Sequence, residues 1–259
     1  MHTRAQAPRT VLIGLVAASL AAAATSSPPS AAARSEPAAG APAPPPPATS
    51  APAPVVIARW DFNGGVLNPP ATGPGTGTAA YIGGTGGGST PFPAGSSGDT
   101  VSGGISGGGG SAANAGANAT NFPAQGMAGG TAGMAFGVST LNRTNIRVSM
   151  DLRWSNTASK YLRAQYTTDG STFSDMPTHS IITGPGTGFF VPGLTWDLSG
   201  VNGVDDNPAF AVRIVAIFDP ANNTTYVANS PGTKYTTSGT LRFDLVTISG
   251  TPIKPEVVK

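Results

Sequence analysis

Three kinds of side chain in this sequence could do chemistry: a few aspartates, the one histidine beyond residues 1–24, and a handful of aromatic rings. A general base needs a pKa near neutrality and a partner that orients it. His179 stands in DMPTHSIITG with no Asp or Ser partner motif around it, and reads as a loop residue. Glu36 and Glu256 lie towards the two ends of the chain, so a paired-carboxylate glycosidase would have to use two aspartates. The densest acidic group is Asp205, Asp206 and Asn207, whose oxygens suit a structural calcium ion or the acids of a small hydrolase. The surrounding GVDDNP equally describes a turn before a strand, with Asx side chains bonding local backbone.

Among the aromatic residues, Trp60 and Trp154 fall on the apolar faces of alternating stretches and are expected in the core. Tyr161 takes the opposite face from Leu162, and Trp196 opens WDLSG, so these two are the candidate platform for stacking on a sugar ring. Asp61, Asp151 and Asp244 alternate outward with Arg59, Arg147, Arg153, Arg213 and Arg242, which predicts cross-strand charge pairs on a wet sheet face. The Gly-rich runs carry neither the lysine nor the strand-to-helix setting of a phosphate-binding loop, so no cofactor is expected. TTDGSTF at 167–173 reads as a hairpin turn, and Asn118, Asn142, Asn222 and Asn223 each begin a glycosylation sequon.

The elements that must position these residues come from the rest of the pattern. Residues 1–24 have the basic start, apolar stretch and small-residue run of a secretory signal peptide. Removing Arg4 and Arg9 with it leaves 12 basic against 12 acidic residues, so the basic balance of the whole chain belongs to the signal. No clustered basic excess remains for nucleic acid, and no apolar run approaches the roughly 20 residues of a membrane span. Neither nucleic-acid binding nor membrane insertion after cleavage is expected. With no cysteine, an exported domain must be held by its core alone.

Residues 25–54, rich in Pro and Ala, read as a disordered linker. From Val55 the chain alternates. VVIARWDF, NIRVSMDLRW, YLRAQY, the stretch from Phe210 to Phe218 and that from Leu241 to Leu245 each place apolar residues at every second position. Asp169-Gly170 supplies a hairpin turn with a return strand near Thr172. Residues 64–130, rich in Gly, Ser and Thr, are expected as loops with a few edge strands. No stretch shows helical periodicity with caps. The fold class is therefore all-β, an antiparallel β-sandwich or jelly roll over residues 55–250 followed by a tail at 251–259, with first and last strands paired.

WDFNG at 60–64, NTASKYLRAQYTTDGSTFSD at 156–175, WDLSGVNGVDDNPAFAVRIVA at 196–216 and TSGTLRFDLVTISG at 237–250 together resemble jelly-roll modules of exported bacterial proteins. These are the modules that carry C-terminal sorting signals of the PEP-CTERM or choice-of-anchor type, found also beside extracellular nuclease domains. The resemblance implies an accessory role at the cell exterior and no catalytic set. The chain departs from the pattern in ending TPIKPEVVK without a sorting motif, so anchoring by that route is not expected.

Three functions follow in order of expectation. The first is a secreted, non-catalytic structural or interaction module with a cell-surface protein or polysaccharide as partner. The second is a carbohydrate-binding module of jelly-roll type. The third is an extracellular hydrolase dependent on aspartates.

Overall fold

The computed structural model describes residues 52–73, 76–87, 99 and 114–253. The signal peptide, nearly all of the linker, the run SGGGGS at 106–111 and the last six residues lie outside them. Twelve strands and one short 3-10 turn at Asn63–Gly65 make up the described elements. The strands are β1 (Val55–Trp60), β2 (Thr78–Ile82), β3 (Gly86–Gly87), β4 (Ala117–Thr120), β5 (Gly133–Gly137) and β6 (Arg143–Trp154). They continue as β7 (Tyr161–Thr167), β8 (Ser174–Asp175), β9 (Ile181–Thr183), β10 (Phe190–Asp197), β11 (Ala211–Ala216) and β12 (Leu241–Pro252).

Two antiparallel sheets pack as a sandwich. The first runs β10-β6-β12-β4-β3, with β1 on the far half of β12, and the second runs β2-β5-β11-β7-β8, with β9 beside β8 along β7. From β5 to β7 and again from β10 to β12, each strand lies in the opposite sheet from the one before it. First and last strands pair, Val55 opposite Gly250 and Trp60 opposite Val246. Gly250 does not end β12, which continues two residues further against Arg143 and Thr144.

Alternation explains the core. Val148, Met150, Leu152 and Trp154 of β6 point inward, meeting Met134, Phe136, Leu162 and Ile214 from the facing sheet. Phe136 sits between Trp60 and Phe243, at ring-centre distances of 5.4 and 5.9 Å. Trp60 and Trp154 are both buried, as their positions predict.

The Gly-rich region differs from a set of edge strands at one place. β4 lies inside the first sheet, hydrogen-bonded on both sides, because its Ala117 and Ala119 are small enough to sit fully buried beneath larger neighbours.

Strand β6 spans the domain, and its twelve residues cover roughly 35 Å at about 3.3 Å each. One of its ends, at Arg143, meets the loops at 140–142 and 203–207. The other, at Trp154, meets the loops at 155–160, 184–189 and 229–240.

Candidate functional site

The two ends of β6 use their polar side chains differently. At the Arg143 end, Asp205 accepts the Thr144 hydroxyl at 2.6 Å and Asp206 accepts the Asn142 amide at 2.7 Å. Asn207 accepts the Ala209 amide at 2.6 Å, while its side-chain amide donates to the carbonyls of Thr168 and Gly203. The Thr140 hydroxyl donates to the Val204 carbonyl at 2.7 Å. Long-range hydrogen bonds from this group thus tie three loop segments together, the Asn207–Ala209 bond alone being a local Asx turn, and the two carboxylates are drawn towards different residues. Among the described residues no three His, Cys, Asp or Glu side chains gather in a way that could hold a metal ion.

Beside this end lies the hairpin between β7 and β8. Asp169 accepts the amides of Ser171 and Thr172 and the Thr167 hydroxyl. These bonds hold its carboxyl far below the usual carboxylate range. Gly170 takes the positive φ of 76° that the turn requires.

The candidate sugar platform does not assemble. Trp196 is only 2% exposed, its ring packed in the core and its indole N–H donating to the His179 carbonyl at 3.3 Å. The reason is parity: β10 places Trp196 on the inward face and its neighbours Thr195 and Asp197 outward. Tyr161 is half-buried on the outer face of the second sheet, opposite Thr183, with the Lys160 ammonium 5.5 Å from its ring centre. His179 is exposed and has φ of 49°. It lines an apolar cleft of about 330 Å³ at the seam between β9 and β10, with Ile181, Ile182, Leu194 and Trp196. Tyr161 and the aspartates of the 203–207 loop do not line that cleft.

Two of the aspartates expected on the wet sheet face are instead buried. Asp151 and Asp244 are 5% and 0% exposed and stand directly opposite each other on β6 and β12. Both flanking strands bulge at this level, β10 between Val191 and Leu194 and β12 between Asp244 and Thr247. The bulges turn backbone donors onto the carboxylates: Gly193 N–H to Asp151 at 2.7 Å and Leu245 N–H to Asp244 at 2.8 Å. Cross-strand charge pairing does occur on this face, with Asp197 as the acid, 2.7 Å from Arg147.

At the Trp154 end the structure assembles an open cleft of about 510 Å³, lined by Arg153, Ser155, Asn156, Thr157, Gly188 and Phe189. Phe189, the last loop residue before β10, is 58% exposed, whereas Phe190 enters the sheet edge and is buried. The Arg153 side chain donates from Nε to the Gly188 carbonyl, fixing the guanidinium against the loop that carries Phe189. Burial lowers the pKa of that guanidinium.

The cleft rests on a buried asparagine. Asn229 accepts the Gly186 amide at 2.9 Å and donates to the Thr187 carbonyl at 2.8 Å, pinning the 184–189 loop from beneath. Gly184 is required there, since a Cβ would stand 2.4 Å from the Asn229 side-chain oxygen. Ser230 donates to the Asn156 side chain at 2.9 Å and Thr233 to its backbone carbonyl at 3.1 Å, which sets the opposite wall.

The fold is an antiparallel β-sandwich with an open cleft built from loops at one end. Comparison of the chain with protein-family models, curated proteins and solved structures returned no match.

Proposed function

We propose that this protein is an exported, non-catalytic module that binds carbohydrate in the cleft between Arg153, Asn156 and Phe189. The observation that carries the reading is the exposed Phe189 ring set among amide, hydroxyl and guanidinium groups on loops held by a rigid sandwich. A pyranose ring has an apolar C–H face and a rim of hydroxyls, so it needs one flat apolar surface beside several hydrogen-bonding groups. Loops on a rigid scaffold are where binding residues concentrate.

What supports the non-catalytic half is the use made of the carboxylates. Asp151, Asp169, Asp205, Asp206 and Asp244 all accept hydrogen bonds from bulges, turns or loop hydroxyls, and none lines the cleft. Export rests on the signal-like residues 1–24, and a partner at the cell exterior follows from it.

Affinity electrophoresis through gels containing soluble polysaccharides tests the reading. Retardation by at least one polymer, lost in Phe189→Ala with the melting temperature unchanged, supports it. Retardation that survives Phe189→Ala, or none with any polymer, overturns it.

A further inference from the structure

The charge of the cleft narrows the class of sugar. Six residues line it, and Arg153 alone among them carries charge. Elsewhere on the outer faces Arg147 pairs with Asp197 at 2.7 Å, and Arg163 approaches Asp175 at 3.9 Å. Arg153 has no carboxylate within ion-pair distance among the described residues. Its one hydrogen-bond partner there, the Gly188 carbonyl, occupies Nε and leaves the Nη donors for another acceptor. Nη2 stands 3.6 Å from where a Cβ on Gly188 would be, and so does the Asn156 side-chain oxygen, which places both at the cleft wall.

Arg242 on β12 is the residue directly opposite Arg153, on the same outer face, with its Nε donating to the Asn118 side chain at 3.3 Å. Its side chain and that of Arg153 reach opposite ways across the sheet, Arg242 towards β4 and Arg153 towards the loop before β10, which leaves Arg153 as the guanidinium of the cleft. The acids one step along both strands, Asp151 and Asp244, are buried and turned towards the amides of Gly193 and Leu245. Burial of Arg153 in a partly dehydrated wall strengthens its attraction for an anion relative to open solvent. The chain without residues 1–24 has no net charge, so an anion preference would be local to this cleft.

We propose that the cleft takes an acidic polysaccharide, the carboxylate or sulfate of one residue seated on the Nη donors of Arg153 while Phe189 covers the apolar face of a sugar ring. This rests on the carbohydrate reading above and goes beyond it in the charge of the ligand. Guanidinium and a carboxylate or sulfate form charge-assisted hydrogen bonds, stronger than those to neutral hydroxyls. Only the polymer's anionic group differs between the two sources, and the choice of probe separates them.

The test uses the full mature chain in affinity electrophoresis against polygalacturonate and alginate (carboxylates), dextran sulfate (sulfate), and dextran and xylan as neutral polymers, at 20 and 200 mM NaCl. The expected result has three parts. At least one acidic polymer is retained tenfold more tightly than either neutral one, and the margin shrinks at high salt. Arg153→Gln removes the margin, and Arg153→Lys keeps part of it. Because Arg153 also fixes Gly188, the melting temperature of each variant and its retention by neutral polymer report any collapse of the loop. Equal retention of neutral and acidic polymers, lost in Phe189→Ala, would overturn the charge assignment and leave the carbohydrate reading standing. A margin unchanged in Arg153→Gln would overturn it too. Retention by no polymer would overturn both.

Discussion

The two ends of strand β6 are built from the same kinds of residue and put them to opposite use. At the Arg143 end, Asp206, Asn207, Thr140, Thr144 and one oxygen of Asp205 bond to neighbouring loop segments, while the other Asp205 oxygen is buried without a partner among the described residues. At the Trp154 end, tying the loops falls to residues beneath and beside the cleft, chiefly Asn229, Ser230 and Thr233. That division leaves Phe189 and the Arg153 Nη donors facing outward. The polar cluster that stands out in the sequence is used to tie loops together, whereas the site we propose is an aromatic ring left uncovered above loops tied from beneath.

Substitutions can break or sharpen this contrast, and the largest effect is expected under the cleft. Asn229→Ala strips a buried residue of its bonds to Gly186 and Thr187 and leaves those backbone groups short of partners. We expect a loss of roughly 2–3 kcal/mol in a urea titration together with weakened polysaccharide retention. At the opposite end Asn207→Ala removes bonds to Ala209, Thr168 and Gly203. About 1–2 kcal/mol should be lost there with retention untouched. If Asn207→Ala impaired retention as much as Asn229→Ala, the contrast between the ends would fail.

The two ends should also respond to opposite extremes of pH. Burial pushes the Tyr226 hydroxyl up to about 12, and burial together with Tyr226 raises that of Tyr235, which stacks on it at 4.4 Å. Their hydroxyls donate to the Met127 and Pro123 carbonyls, and Tyr235 belongs to the 229–240 loop beside the cleft. A raised folded-state pKa contributes stability that is present below the unfolded value near 10 and is lost as pH climbs towards the folded one. Melting temperature should therefore fall between about pH 10 and 12, and less so in Tyr226→Phe/Tyr235→Phe. Asp169 at the other end has the opposite sign. Its depressed pKa contributes stability above about pH 4 that declines on further acidification, and Asp169→Asn should flatten that decline.

Phe189→Ala should have the smallest effect on stability, within about 0.5 kcal/mol, since its ring is mostly exposed. Its effect on retention should nevertheless be at least tenfold.

Much of the scaffold can be read directly from alternation. β6, β11 and the start of β12 keep an unbroken period of two, so their inward residues and the sandwich class are legible. β10 is not, because the bulge at Pro192 and Gly193 shifts its phase and hides the inward position of Trp196. β5 is five residues long with glycine at both ends, and β4 is Ala-Asn-Ala-Thr, too small in side chain to show as an interior strand. The burial of Asp151 and Asp244 depends on paired bulges in neighbouring strands, which no local pattern encodes.

The cleft did leave one signal. In GFFVPG two adjacent phenylalanines stand at the entry to β10, and one of them faces outward while the other is buried. Which of the two does so, and that Arg153 and Asn156 from a segment more than thirty residues earlier meet it, is set by the β10–β6 pairing of Phe190 with Arg153.

Amide hydrogen exchange with and without a retained polysaccharide distinguishes the two ends of β6. Binding in the cleft slows exchange at residues 153–157 and 184–189 and leaves the 140–144 and 203–207 segments unchanged. Protection centred on 203–207, or binding that leaves 184–189 unaffected, would contradict the cleft as the site.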